Sequence, residues 1–121
     1  MGTVYIKLRC GPFDKIKSGV KTVEVRLFDE KRQSLAPGDV IVFKRLPDLT
    51  ETLSKKIVRV KRFDTFAGLF SAYQKESLGC AEDDTSADFA RAMGRYYSDE
   101  EATRYGVCAI ELAPCGVSES W

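Results

Sequence analysis

The stretch SGVKTVEVRL, Ser18 to Leu27, decides how the rest of the chain is read. In its second half Val23, Val25 and Leu27 alternate with Thr22, Glu24 and Arg26. A period of two predicts a strand over 22–27, with one face toward a core and one toward water. Thr22, Glu24 and Arg26 then project the same way, successive ones about 7 Å apart. Two readings of that polar face stand. In one, Glu24 and Arg26 pair on a wet surface, an arrangement worth about 0–1 kcal/mol. In the other, the face is a site. Gly19 permits a close backbone approach. Lys21 and Arg26 put two cations around one carboxylate, which suits anions or base edges. A short helix, a glycine and a charged strand also aim side chains compactly into a cleft.

Outward from this stretch, Tyr5-Ile6-Lys7-Leu8-Arg9 alternates and predicts a first strand. GPFDKIKSG predicts a short helix, with Pro12 in its first turn, Phe13 and Ile16 as its apolar stripe and Gly19 just past its end. Asp29 to Gly38 is polar and ends in the turn signal Pro37-Gly38-Asp39. Val40 to Phe43 reads as a strand covered on both faces, LPDLTETLS as a loop and Lys56 to Phe63 as another strand. Asp64 or Thr65 caps a helix that carries Phe66, Leu69, Phe70 and Tyr73 at helical spacing. The acidic GCAEDDTSAD has no periodicity. Ser86 caps a helix through Phe89, Ala90 and Met93. Ser98 and Glu101 form a capping box ahead of Gly106. Val107 to Leu112 is the last strand. Residues 1–113 read as one domain, and 114–121 as a flexible tail. About five strands with short helices, not arranged as repeated βαβ units, predict an α+β fold: a small curved sheet or barrel with helices packed around it.

Bulk properties exclude more than they select. A chain of 121 residues is one domain. With 44% hydrophobic residues it has an ordinary globular composition. A net charge of +1 argues against a general nucleic-acid-coating protein, whose pI would exceed about 9. The charged N-terminus is no secretory signal, and no apolar run approaches a membrane span. The four cysteines form no CxxC pair, which predicts reduced thiols in a cytoplasmic protein. The chain has no histidine. That removes Ser-His-Asp and Cys-His catalysis and His-ligated metal. No P-loop, GxGxxG or zinc pattern is present, so neither metal nor cofactor is expected. Acid–base work falls to Glu, Asp, Lys, Tyr or Cys.

Charge is segregated along the chain. Lys44, Arg45, Lys55, Lys56, Arg59, Lys61 and Arg62 make one region basic, while 76–101 is acidic. The basic strands read either as a phosphate-tracking face through Lys44, Arg59 and Lys61, or as edge strands guarded by cations. Tyr96, Tyr97 and Tyr105 lie near helix ends, as packing residues or as platforms for a base. Tyr97 is the candidate ligand contact.

Gly19-Val20-Lys21-Thr22-Val23-Glu24-Val25-Arg26 closely resembles the G-x-K-x-x-E-x-R signature of ASCH domains. Pro37 to Phe43 resembles the GD-x-I-x-F strand that follows it in that family, and Val60 to Phe66 its strand-to-helix passage. Tyr97 to Glu101 and Tyr105 to Ile110 resemble its C-terminal signature. These matches run in order from about Tyr5 to Leu112. The resemblance implies a PUA-like fold, in which the signature segment lines a cleft beside the barrel, and RNA as a class of partner. The family also includes small amidohydrolases that deacetylate N4-acetylcytidine, and relatives described as ribonucleases. The amidohydrolases are similar to this chain at Gly19, Lys21, Thr22 and Arg26. They carry a Thr nucleophile where Glu24 stands, and Thr22 sits two residues too early to replace it.

The expected function is binding of RNA or a nucleotide- or nucleoside-like ligand by Gly19, Lys21, Thr22, Glu24, Arg26 and Tyr97. Lys21 and Arg26 engage phosphate or carbonyl oxygens, and Glu24 meets a base edge or orients Lys21. The rival is a small hydrolase with Lys21 and Glu24 as its acid–base pair. A third reading is an interaction module with no small ligand.

Overall fold

The computed structural model describes residues 2–115. Its strands are β1 (Thr3–Leu8), β2 (Val23–Leu27), β3 (Val40–Arg45), β4 (Thr52–Phe63) and β5 (Val107–Pro114). Its helices are α1 (Cys10–Ser18), α2 (Glu30–Gln33), α3 (Phe66–Ala72), α4 (Ser86–Met93) and α5 (Asp99–Tyr105), with a 3₁₀ segment at Glu76–Leu78. The five strands form one sheet in the order β1-β3-β4-β5-β2. The sheet curls into a half-barrel, the α+β architecture expected. β1 and β2 are its outer strands and do not pair with each other, so one seam stays open.

Apolar side chains cover both faces of the sheet. Inside the curl, Ile6, Leu8, Ile41, Phe43, Ile57, Cys108 and Ile110 pack around Phe13 and Ile16 of α1. On the outer face, Val23, Val25, Leu27, Val107 and Ala109 pack beneath Phe66, Leu69 and Phe70 of α3 and Phe89 of α4. β5 therefore feeds both cores: Val107, Cys108, Ala109 and Ile110 are each 0% exposed. That is why its sequence is a continuous apolar run rather than an alternation. In the β2–β5 register Glu24 faces Ile110 and Arg26 faces Cys108. The polar residues of β2 are thus on the inner face, and the expected water-facing side of this strand is buried.

Several local expectations give way to tertiary pairing. β4 begins at Thr52, inside the expected loop, and its first residues pair with β3 in the register Lys44↔Thr52 to Val40↔Lys56. Thr52-Leu53-Ser54-Lys55-Lys56 lacks an apolar rhythm because this end of the strand is held by backbone bonding more than by burial. β3 alternates, with Ile41 and Phe43 buried and Val40 and Val42 half-buried, rather than being covered on both faces. The polar stretch after β2 contains α2, started by the Asp29 side chain accepting from the Arg32 amide. Thr85, not Ser86, caps α4, in a reciprocal capping box with Asp88. The Ser98–Glu101 box at α5 is as expected. β5 continues to Pro114, and the rest of the expected tail lies outside the described residues from 116 onward. No helix among the described residues is long and apolar enough to cross a membrane.

Gly106 joins α5 to β5 at φ 75° and ψ −178°, a region essentially closed to side-chain-bearing residues. A Cβ there would also lie 2.6 Å from the Arg62 guanidinium. Gly106→Ala is expected to destabilise the fold by about 1–3 kcal/mol. Urea denaturation should show a lower midpoint at unchanged slope.

Candidate functional site

The turn between α1 and β2 delivers Lys21 to the inner face. Gly19 closes α1 in the left-handed region at φ 89°, its amide donating to the Ile16 carbonyl. The Lys21 amide then donates to the Lys15 carbonyl at 3.0 Å, and the Thr22 amide to the Ser77 carbonyl at 3.0 Å. The 3₁₀ segment supports the lysine stem. A Cβ on Gly79 would come within 3.0 Å of Lys21 Cδ. The Leu78 carbonyl accepts from Lys21 Nζ at 3.4 Å.

Glu24 is 4% exposed. Its Oε1 lies 3.2 Å from Lys21 Nζ. Its Oε2 lies 2.7 Å from Arg26 Nη2 and accepts from Arg26 Nε at 2.9 Å. An isolated carboxylate there would cost several kcal/mol in lost hydration. Burial does push the Glu24 carboxyl upward. The Lys21 and Arg26 charges and their hydrogen bonds outweigh burial and hold it below the usual carboxylate range. Arg26 shows the mirror case: burial disfavours its charge, but Glu24, and then the nearby Tyr97 hydroxyl, raise its pKa.

These three residues lie in a cleft of about 350 Å³ at the open seam. One wall is the end of β1 with Lys7, Leu8 and Arg9, and the other is β2 with Glu24, Val25 and Arg26. Pro12 of α1 and Leu46 after β3 also line it, together with Met93, Tyr96 and Tyr97. Its volume is at the lower end of small-molecule sites, which run from about 300 to 1,000 Å³. Tyr97 is fixed from behind, its ring stacked on Phe66 at 6.1 Å and 19°. Tyr96 is 57% exposed, and the Arg9 guanidinium lies over its ring at 5.5 Å. The lining contains no Ser, Thr, Cys or Asp.

The ASCH domain model matches residues 6–116. The chain belongs to the ASCH family. Domains of this family are generally RNA-binding or hydrolase-like. The crystal structure of the hypothetical protein PH0355 is similar to this ASCH chain at 27% identity and a TM-score of 0.81, covering 94% of this chain and 99% of that one. The solution structure of protein PF0455 from Pyrococcus furiosus is similar at 28% identity and a TM-score of 0.70, over 96% of this chain and 99% of that one. No curated protein matches.

Of the residues singled out in sequence, the ASCH fold brings Lys21, Glu24, Arg26 and Tyr97 into one cleft. Gly19 shapes the approach, and Thr22 is exposed outside the lining. Lys44, Arg59 and Lys61 are elsewhere. Arg59 pairs across the ladder with Glu111 and Lys61 with Ala109, which puts both on the outer face. Lys44 adjoins the inward Phe43 and shares that outer face, its ammonium 5.2 Å from the Tyr5 ring. Arg59 is engaged: Nη2 and Nε donate to Glu111 Oε2 at 2.7 and 2.9 Å. Tyr73 donates to the same oxygen at 2.6 Å. Burial and that acidic partner push the Tyr73 hydroxyl up to about 12. Burial likewise pushes the Cys108 thiol up to about 12, which leaves it a packing residue. Among the described residues no cluster of His, Cys, Asp or Glu has the arrangement to hold a metal ion.

Arg9, with Lys7 and Leu8 of β1, is a cleft element that the sequence did not mark as such, and Tyr96, read there as a packing residue or a platform for a base, joins it. Arg9 looks like the last residue of an alternating strand, and it reaches the cleft only because β1 and β2 end as the two lips of one seam.

Glu24→Gln leaves two cations facing a neutral amide in a buried setting. A loss of about 3–5 kcal/mol at pH 7 is expected. Because the folded pKa of Glu24 is depressed, its contribution is present above its unfolded pKa and disappears as pH falls through the lower folded value. The gap between wild type and Glu24→Gln, followed by urea denaturation from pH 7 downward, should therefore close only on the acid side of the usual carboxylate range.

Proposed function

We propose that this ASCH domain binds a single nucleobase in the cleft, presented either by a free nucleotide or nucleoside or by an unpaired position in RNA. The observation that carries this reading is the Lys21–Glu24–Arg26 cluster at the base of a narrow slot whose mouth has an exposed aromatic ring. The cations offer donors to base carbonyls or a phosphate. Tyr96, with Arg9 over one part of its ring, offers a flat surface for stacking, the usual basis of single-strand recognition.

The hydrolase reading has less support in the geometry. An acyl-transfer mechanism of the kind implied by the amidohydrolase relatives needs a nucleophile, and no hydroxyl other than tyrosine lines the cleft. Both oxygens of Glu24 are held by cations and its basicity is reduced. A general base works best with a pKa near the operating pH, and the Glu24 carboxyl is moved the other way. Lys44 and Lys61, on the outer face, remain candidates for following the backbone of a longer RNA, with Arg59 committed to Glu111. They do not share the base site.

Titration with uridine 5′-monophosphate and with a short single-stranded RNA, followed by amide NMR, should perturb residues 21–26, Arg9 and Tyr96–Tyr97 together. Tyr96→Ala should weaken both ligands about 5- to 100-fold, the range for one lost stacking contact. The RNA should show a log–log salt slope of about −0.7 per phosphate contacted. Lys44→Ala with Lys61→Ala should flatten that slope while leaving the mononucleotide affinity unchanged. Shifts confined to the outer face, or a Tyr96→Ala variant that binds both ligands normally, would reject the cleft. Turnover of an acylated nucleoside that Lys21→Ala abolishes would establish the enzyme instead.

A further inference from the structure

The two lips of the seam are strand edges, and their hydrogen-bonding phase can be followed along the chain. The Leu112 amide donates to the Thr22 carbonyl at 2.9 Å, and the Phe28 amide donates to the Gly106 carbonyl at 2.9 Å. In an antiparallel ladder, residues bonded to the partner alternate with residues that are not. Glu24 and Arg26 are therefore bonded to β5, and Val23, Val25 and Leu27 turn their N–H and C=O toward the open edge. Of these three, only Val25 lines the cleft. Its side chain packs on the opposite side of the sheet, in the outer core with Val23 and Leu27. What Val25 shows to the cleft is its peptide edge: one donor and one acceptor, side by side, with no strand beyond them.

An unpaired backbone donor and acceptor beside a buried ion cluster is an incomplete arrangement, since such groups are almost always paired in folded proteins. One such residue on this wall is too few for an added strand, which would need several alternate residues in a row. It matches a planar ring edge bearing an adjacent N–H and C=O. The neighbouring side chains narrow the choice. Lys21 and Arg26 are donors only. Both oxygens of Glu24 already accept from them, so the Val25 C=O is the acceptor left in the slot, and the ring group that donates to it must carry one carbonyl for the Val25 N–H and another for the cations. A ring with a second carbonyl fits this set better than one with an amino group.

Resting on the cleft assignment above, we propose that the Val25 peptide group sets the specificity of the site for oxo-substituted nucleobases, those with an imide or lactam edge. The Val25 C=O accepts from the ring N–H and the Val25 N–H donates to the adjacent ring carbonyl. The remaining carbonyl, or a phosphate, meets Lys21 and Arg26. Because recognition runs through the main chain, the side chain at this position is free to serve the outer core.

Three nucleotides test this on the wild-type protein by calorimetry: uridine 5′-monophosphate, its N3-methyl derivative and cytidine 5′-monophosphate. Methylation removes the ring donor, and cytosine replaces a carbonyl and the ring N–H by an amine and an acceptor. Each should bind about tenfold more weakly than the uridine nucleotide, the effect of leaving one hydrogen-bonding group unpaired. A backbone ester at Val25, made by incorporating the α-hydroxy analogue of valine, removes the N–H while keeping the side chain. It should cost the uridine nucleotide a similar factor, with thermal melting confirming the fold. If Tyr96→Ala weakens binding while the three nucleotides bind equally, the proposal fails and the cleft stands. If none of the nucleotides binds, both fail together. Should the ester variant not fold, the comparison of nucleotides on the wild type decides alone.

Discussion

A carboxylate buried on the inner face of a curved sheet, Glu24, cannot exist there without compensating charge, and the local architecture follows from supplying it. One cation comes from the same strand two residues on. The other comes from the turn that precedes the strand, which is why α1 ends in a left-handed glycine and why the 3₁₀ segment packs so closely against the Lys21 stem. The cluster is better understood as a device of position than of stability. Apolar residues of similar volume would often be as stable in such a place. They would not hold two donors at fixed angles toward an open slot.

The slot exists because the sheet does not close. β1 and β2 each pair on one side only, and the chain uses the unpaired side in two ways. Along part of the seam, Phe28 and Leu35, which flank α2, pack against the inner core and cover it. At the other end the strand edges border the cleft, where polar backbone faces the open slot rather than another strand. An open edge is ordinarily a hazard for aggregation. Here short strands, flanking cations and the neighbouring helices limit it.

The sheet also separates the basic strand β4 from the charged cluster on β2. The bulge at Val58, between Ile57 and Arg59, changes which residues of β4 face outward. Before it Ile57 points into the curl, and after it Val60 does. Arg59 and Lys61 are thereby turned to the face that carries Tyr73 and Glu111, away from Glu24. The helices of that outer face secure the cleft from behind through the Phe66–Tyr97 stack, so that one tyrosine of an adjacent pair is fixed and the other is left for contact.

Much of this was legible from residue order alone. The alternation at 22–27, the α1 stripe of Phe13 and Ile16, the Ser98–Glu101 capping box and the G-x-K-x-x-E-x-R spacing are local patterns, and they were enough for the fold class and for Lys21, Glu24 and Arg26 as a group. Local patterns could not show that β2 is covered on both faces, since a strand with one polar side looks the same whether water or an ion cluster meets it. The early start of β4 was hidden because backbone pairing needs no apolar rhythm. Arg9 and Tyr96 are 87 positions apart in the chain, and nothing in either neighbourhood refers to the other. The sequence determined which side chains are charged, which positions turn and where strands begin to alternate. Only the tertiary structure decided which strands remain unpaired, and hence which peptide groups, cations and rings meet, because strand order is set by packing between distant segments and leaves no periodic trace in either one.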